Sequence, residues 1–222
     1  FESTCPFFID CLEELLDWSN ANRGHHALFV FLEPKDDLDF GFLLDGHLEE
    51  IDTAILSVWP RHRIITPDGV QGSYPTLAEA VLDGGWPTLG ASRDSIVFLM
   101  IDSERHREAY SRNGTSLSDR IMFADFEVGH PLAALATRGS IEASLQAGMI
   151  IRTWVGNVPQ GVTPEDLAYH AATGAQLIVS DYPGPVEGYD FHTALPHGNP
   201  SRCNPVLAPP GCTSEAVEAL PR

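Results

Sequence analysis

The chain alternates between short, unbroken apolar runs and amphipathic stretches of helical period. Five runs stand out: ALFVFLE (27–33), SIVFLMID (95–102), RIMFADF (120–126), MIIRTWV (149–155) and QLIVSDY (176–182). They are near-continuous rather than alternating, which is how a strand reads when both of its faces are covered. Between them the apolar spacing changes. Residues 6–18 set Phe8, Leu12, Leu15 and Leu16 on one face, with Pro6 in the first turn. Residues 46–58 repeat the pattern with Leu48, Ile51, Ile55 and Val58. Pro75 opens a further helix, with Leu77, Ala80 and Val81 facing one way and Gly84-Gly85 ending it. Ile141 and Leu145 mark another, which stops at Gly148. In TPED (163–166), Thr163 is an N-cap, Pro164 fits the first helical position and Asp166 follows three residues after the cap; Gly174 terminates that helix.

Strand and helix therefore alternate, and the pattern predicts an α/β fold with a parallel sheet. A chain of 222 residues can bury the core of one such domain. From about Gly184 onward Pro and Gly dominate. Residues 1–183 thus read as the regular α/β part, and 184–222 as an irregular tail of the same domain.

Composition narrows the function classes. The net charge is −18 and no basic patch is present, which argues against nucleic acid as a partner and disfavours tight electrostatic docking on an anionic membrane. No run approaches the roughly 20 apolar residues of a membrane-spanning helix. The four cysteines fall as two local couples, Cys5 with Cys11 and Cys203 with Cys212. Three connectivities are possible and the local one is the simplest. The second couple frames CNPVLAPPGC, a loop with little hydrophobic content of its own. Disulfides point to an oxidising, extracellular compartment. NGT at Asn113 is a glycosylation sequon, whereas the proline in NPS at Asn199 excludes that one. The chain opens on Phe1 rather than Met, so a preceding segment is expected.

The candidate chemistry lies at the ends of the runs. Glu33, Asp102, Asp125 and Asp181 stand at or near the close of four of them, and Arg152 sits inside the fifth. Side chains alternate along a strand, so Phe31, Glu33 and Lys35 share one face, and Ile150, Arg152 and Trp154 share one face. Parallel α/β folds bind ligands at the carboxyl ends of their strands. Acids there, with an arginine and the only lysine of the chain, suit an oxygen-ligated divalent cation and an anionic substrate. Strand-end acids also serve as helix caps and solvated loop ends, and that reading stays open for each of them singly. His25-His26 precede the first strand and read as structural; His130 follows a strand but stands alone. DDLD (36–39) lacks the glycine and distal glutamate of an EF-hand loop. Trp18, Trp59 and Trp86 read as packing residues. No G-x-S-x-G, P-loop or G-x-G-x-x-G occurs, so no motif argues for an α/β hydrolase, an NTPase or a dinucleotide enzyme.

Several blocks, in order, resemble one family: CLEELLDWSNANRGHHALFVFLEPKDDLD, SVWPRHRIITPDGVQG, LAEAVLDGGWPTLGASRDSIVFLMID, IIRTWVGN, GAQLIVSDYP and RCNPVLAPPGC. They are similar to the calcium-dependent phosphatidylinositol-specific phospholipase C-like proteins, a secreted bacterial and fungal group. The resemblance implies a TIM-like (β/α) barrel that cleaves phosphoinositides with two histidines and a calcium ion. In family order, residues 27–33 are the fourth barrel strand, so strands four to eight are expected here and the first three upstream of Phe1. The family's H-N-S-Y-like and E-L-D-like segments do not occur in the sequence. No catalytic residue is therefore expected within the 222 residues.

By the same resemblance, Glu33 is a calcium ligand, Lys35 and Asp36 match the K-D that follows it, and Arg152 matches the first arginine of a V-R-T-R-A-D pattern. Trp154 stands where that pattern has its second arginine, and Asn157 or nothing replaces its aspartate. Lys35 and Arg152 are expected to face the substrate phosphate, with Asp36, Asp102, Asp125, Trp154 and Asp181 lining the site. The implied function is a secreted, calcium-assisted, phospholipase C-like phosphodiesterase that touches a membrane surface transiently, with residues 1–222 inactive by themselves. The alternatives are a related glycerophosphodiester or sphingolipid phosphodiesterase, and a non-catalytic secreted binding protein on the same scaffold.

Overall fold

The structure is a computed structural model and describes residues 5–36, 41, 43–101, 104–156, 161–185, 187–188, 190–195 and 201–219. The chain divides into two compact units, Phe1–Leu135 and Ala136–Arg222.

In the first unit, α1 (Phe8–Ala21) leads to β1 (Leu28–Leu32), α2 (Leu48–Val58), α3 (Pro67–Gln71), α4 (Leu77–Leu82), β2 (Ile96–Met100), α5 (Glu104–Tyr110) and β3 (Phe123–Ala124). The three strands form a parallel sheet in the order β1-β2-β3, with Leu28 opposite Ile96, Leu32 opposite Met100 and Leu99 opposite Phe123. Central β2 is buried at every residue, which is why its sequence is apolar without alternation. Helix α1 lays Leu12 and Ser19 inward. Trp59, at the end of α2, is fully buried and its indole N–H donates to the Leu12 carbonyl at 3.1 Å, joining the two helices. Trp86 packs on Phe123, with ring centroids 5.4 Å apart. Trp18 is about half exposed rather than packed, with its ring beside His25.

A polar knot ties α2, α5 and the approach to β3. The Tyr110 hydroxyl is buried, donates to Asp52 at 2.6 Å and accepts the backbone N–H groups of Met122 (2.9 Å) and Ile121 (3.2 Å). Arg120 lies over the Tyr110 ring, donates to the Tyr110 carbonyl and pairs with Glu49 at 2.8 Å. Burial holds the Asp52 carboxyl above its ordinary range, against the opposing Tyr110 hydrogen bond and Arg120 charge.

The second unit carries α6 (Ile141–Gln146), β5 (Ile150–Trp154), α7 (Pro164–Ala172), β6 (Leu177–Val179) and α8 (Ser214–Glu218); the short strand β4 (Leu135–Ala136) straddles the division. The sheet order is β4-β5-β6, and β5 and β6 are parallel, with Arg152 opposite Leu177. Thr163 and Asp166 form a complete capping box at the start of α7, as their spacing predicts. Val155, Val162 and Tyr182 make a small core with Ile178 and Phe191 against them. Both local disulfides are formed, Cys5–Cys11 in the first unit and Cys203–Cys212 in the second.

All five expected strands are present, each within its apolar run, and two cover less than half of it: 120–126 pairs only at Phe123–Ala124, and 176–182 only at Leu177–Val179. Pro75 lies before its helix rather than in it. Thr76 is the N-cap, accepting the Glu79 N–H, and the helix starts at Leu77. Pro6 likewise precedes α1, which begins at Phe8.

Candidate functional site

In the first unit β1 delivers Glu33, Pro34, Lys35 and Asp36 at its carboxyl end. Pro34 is buried while Glu33 and Lys35 are exposed, so alternation turns the acid and the lysine to the same, outer side. The Lys35 ammonium donates to Glu33 Oε1. Asp36 turns the other way and is tied down. Its carboxylate accepts the Leu44 N–H at 2.9 Å, lies 3.0 Å from His106 Nε2, and takes the Arg105 guanidinium. Arg105 also pairs with Asp45, whose Oδ1 is 3.6 Å from His106 Nε2. The Leu44 amide, helped by His106 and Arg105, holds the Asp36 carboxyl below the usual carboxylate range against its partial burial. His106 is 3% exposed.

Asp125 directly follows β3. It is buried, and its N–H donates to the Met100 carbonyl at 3.1 Å, which continues the β2–β3 ladder past the last strand residue. His130 stacks on Phe126 with ring centroids 3.9 Å apart, and its Nδ1 accepts the Leu132 N–H at 3.2 Å. Burial pushes its pKa down; the nearby Glu108 charge opposes that and Arg107 reinforces it. Asp102, residues 37–39 of DDLD and Asn157 lie outside the described residues.

In the second unit β5 is two-faced. Thr153 points inward, with its hydroxyl 2.5 Å from His170 Nδ1 on α7. Arg152 and Trp154 share the other face, the guanidinium carbon 5.2 Å from the indole centroid. Trp154 is 40% exposed, and its indole N–H turns to the Gly156 carbonyl at 3.0 Å. Asp181 is exposed just beyond β6, next to the fully buried Tyr182.

Arg105, His106 and Asp45 are the polar residues that the sequence reading passed over. Ser19 and His25 make an arrangement that only looks catalytic. The Ser19 hydroxyl donates to His25 Nε2 at 2.5 Å, and His25 Nδ1–H donates to the His26 carbonyl at 2.5 Å. Ser19, however, has no exposed surface and also accepts the Arg63 guanidinium, so the pair is structural, as its place before β1 suggests.

Calcium takes six to eight oxygen ligands. Among the described residues no group of three or more His, Cys, Asp or Glu side chains gathers as a metal site. Glu33 supplies one carboxylate, already engaged by Lys35, so these residues do not by themselves fit a calcium ion.

Residues 1–205 match the family model described as "Phosphoinositide phospholipase C, Ca2+-dependent". Among solved structures, the calcium-dependent phosphatidylinositol-specific phospholipase C from Streptomyces antibioticus is similar at a TM-score of 0.58 and 16% identity, over 78% of this chain and 69% of that one. The calcium-dependent phosphoinositol-specific phospholipase C from a Gram-negative Pseudomonas species, in its myoinositol complex, gives a TM-score of 0.60 and 14% identity, over 81% of this chain and 68% of that one. No curated protein matches the chain. At such identities the solved structures establish the fold, an α/β arrangement shared with those barrel enzymes, and the family model establishes the kinship. The chain belongs to the calcium-dependent phosphoinositide phospholipase C family.

Proposed function

We propose that the protein is a secreted phosphoinositide-cleaving phosphodiesterase of the phospholipase C type, assisted by calcium, and that residues 1–222 carry its charge-stabilising part. The reaction needs a base to take the proton of the inositol 2-hydroxyl, which attacks phosphorus, and an acid to protonate the departing diacylglycerol oxygen. Cationic side chains offset the charge that accumulates on the phosphate. The observation that carries this reading is the single lysine, exposed at the carboxyl end of β1 and held beside Glu33, in a chain of net charge −18. Lys35 in the first unit and Arg152 in the second are each assigned to a substrate phosphate, and Glu33 to the calcium ion. Asp125, Asp181 and Trp154 are assigned to lining positions.

Two disulfides support an extracellular location. Among the described residues no helix is long and apolar enough to cross a membrane. Asn113 is exposed on a turn at φ 58°, a placement that suits glycan attachment.

A second reading rests on Trp154. An indole 40% exposed beside an arginine suits stacking on a sugar or polyol ring, which a binding protein without turnover would also use. Phosphatidylinositol vesicles and calorimetric titration with myo-inositol 1-phosphate decide between the readings. The expected result is that residues 1–222 bind the phosphate ester and form no product, that Lys35→Gln and Arg152→Gln each weaken binding, and that a longer protein with an acid–base pair releases a cyclic inositol phosphate. Turnover by residues 1–222 would overturn the assignment of catalysis elsewhere. Equal binding of myo-inositol with and without its phosphate would favour the polyol-binding protein. Cleavage of glycerophosphodiester or sphingomyelin substrates, with phosphatidylinositol left intact, would move the substrate to those classes.

A further inference from the structure

We infer that Arg105 and His106 are positioning residues, a clamp that sets the pose of the Glu33–Lys35 pair from the first turn of α5. The inference rests on the assignment of Lys35 to a substrate phosphate, but its geometry stands independently. The β1–β2 register ends at Leu32 opposite Met100, with the Ile101 N–H still donating to the Leu32 carbonyl, and among the described residues no further ladder pair holds residues 33–36. What fixes them is the Asp36 side chain.

That carboxylate meets three donors from two places: the Leu44 amide, at the start of the short 3-10 turn Leu44–Gly46, and the Arg105 and His106 side chains of α5. Arg105 then reaches Asp45 in the same turn. Two neighbouring residues of one helix thus hold both Asp36 and Asp45, positions some 60 to 70 residues away in sequence. The planar guanidinium suits this task, because it offers several donors in a fixed fork and can serve two carboxylates at once.

His106 supplies the buried half of the clamp. At 3% exposure its ring cannot reach a substrate, so the Asp36–His106 contact at 3.0 Å is a fixture and not an acid–base pair for the reaction. Asp36, one residue beyond Lys35, determines where the backbone of Glu33–Lys35 goes. With Asp36 fixed and Pro34 buried, Glu33 and Lys35 both point outward.

The single lysine provides the test. Reductive methylation of the full chain with 13C-formaldehyde keeps the ammonium charge and yields one lysine side-chain resonance besides that of the amino terminus. Glu33→Gln calibrates the signal by removing the ion-pair partner. Arg105→Gln alters a side chain 46% exposed, so the fold is expected to survive, and a circular-dichroism melt checks that it does. Asp36→Asn is the second variant, which keeps the Leu44 hydrogen bond and drops the charge.

The expected result is that both variants move the Lys35 resonance toward its position in Glu33→Gln, with the melt little changed. A lysine resonance that stays at its wild-type position in both would overturn the clamp. So would equal movement in a control such as Arg120→Gln, which disturbs α5 without touching Asp36. Adding inorganic phosphate to the wild type reads the underlying assignment separately. If phosphate leaves the resonance still, Lys35 is not a phosphate site, whatever the clamp variants show.

Discussion

Removing one oxygen atom at Tyr110 is expected to destabilise the first unit more than most larger changes at its surface. Tyr110→Phe keeps the ring, its burial and its contact with Arg120, and takes away only the hydroxyl that serves Asp52, Met122 and Ile121. Asp52 also accepts from the Ile121 amide, so that N–H keeps a partner. Two groups then lose their best partner: the Met122 N–H and the buried Asp52 carboxylate, whose cationic partner Arg120 stands 3.9 Å away. At ~1–2 kcal/mol for each buried group left without its partner, the expected loss is about 3 kcal/mol. For a chain of this size that corresponds to a fall of roughly 6–12 °C in Tm.

Urea titration followed by tryptophan fluorescence measures it, since Trp59 is buried between α1 and α2. Asp52→Asn is the control. It keeps an oxygen acceptor for the hydroxyl and removes a charge that burial disfavours, so it is expected to cost much less. The folded pKa of Asp52 is raised, so the fold binds that proton more tightly than the unfolded chain does. Wild-type stability from this group is full below pH 3.8 and falls as pH rises through the raised value, and the asparagine variant lacks that slope. Burial and the Asp52 charge also push the Tyr110 phenol up, so its contribution holds below about pH 10 and is lost above it; Tyr110→Phe lacks that alkaline loss. A loss under about 1 kcal/mol for Tyr110→Phe would refute the reasoning, because it would mean the hydroxyl's partners find others at no cost.

Two further outcomes follow from single residues. The His130 pKa is depressed, chiefly by burial, and its Nδ1 must stay unprotonated to accept the Leu132 N–H. Its contribution is therefore full above pH 6.5 and lost as pH falls below that value, so the drop in urea midpoint from pH 7.5 to pH 5 is expected to be smaller in His130→Gln than in the wild type; equal drops would count against it. Gly156 has φ 70°, and a Cβ there would stand 2.6 Å from Val162 Cβ and 2.7 Å from the Gly161 carbonyl oxygen. Gly129 has φ 96° with open space around it, so Gly156→Ala is expected to cost more than the ~1–2 kcal/mol of left-handed strain that Gly129→Ala incurs. Equal midpoints for the two alanine variants would remove the steric part of the argument.

The strands were legible because burial on both faces leaves no alternation to misread. β2 is the clearest case, apolar in sequence and buried throughout in the fold. α5 was not legible: its inward positions are His106 and Tyr110, whose polar atoms hide the helical period from a hydrophobicity reading. β4 has two residues, too short to make a pattern. Arg120 shows why the run 120–126 overstates its strand, since its side chain goes to Tyr110 and Glu49 and the ladder begins only at Phe123. In the first unit the shared outer face of Glu33 and Lys35, and in the second the shared face of Arg152 and Trp154, were legible from alternation alone. The clamp was not, because Asp36 and Asp45 look like members of a solvated acidic run until α5, far away in sequence, is folded against them.

That distinction bears on how an acidic chain can present a cation to a phosphate at all. If Asp36, Asp45 and Glu33 were all free, these three carboxylates among the described residues would compete for Lys35. In the fold two of them are committed: Asp36 to the Leu44 amide, Arg105 and His106, and Asp45 to Arg105. Among the described residues, Glu33 is the carboxylate that remains on the lysine, in a pair whose two side chains are 39% and 72% exposed. A pair so open to water is worth at most about 1 kcal/mol, so an anion displacing Glu33 forfeits less than about tenfold in affinity. The clamp therefore acts on charge as well as on geometry. It takes Asp36 and Asp45 out of competition, so that among the described residues the lysine keeps one weak partner, Glu33, that an anion can replace.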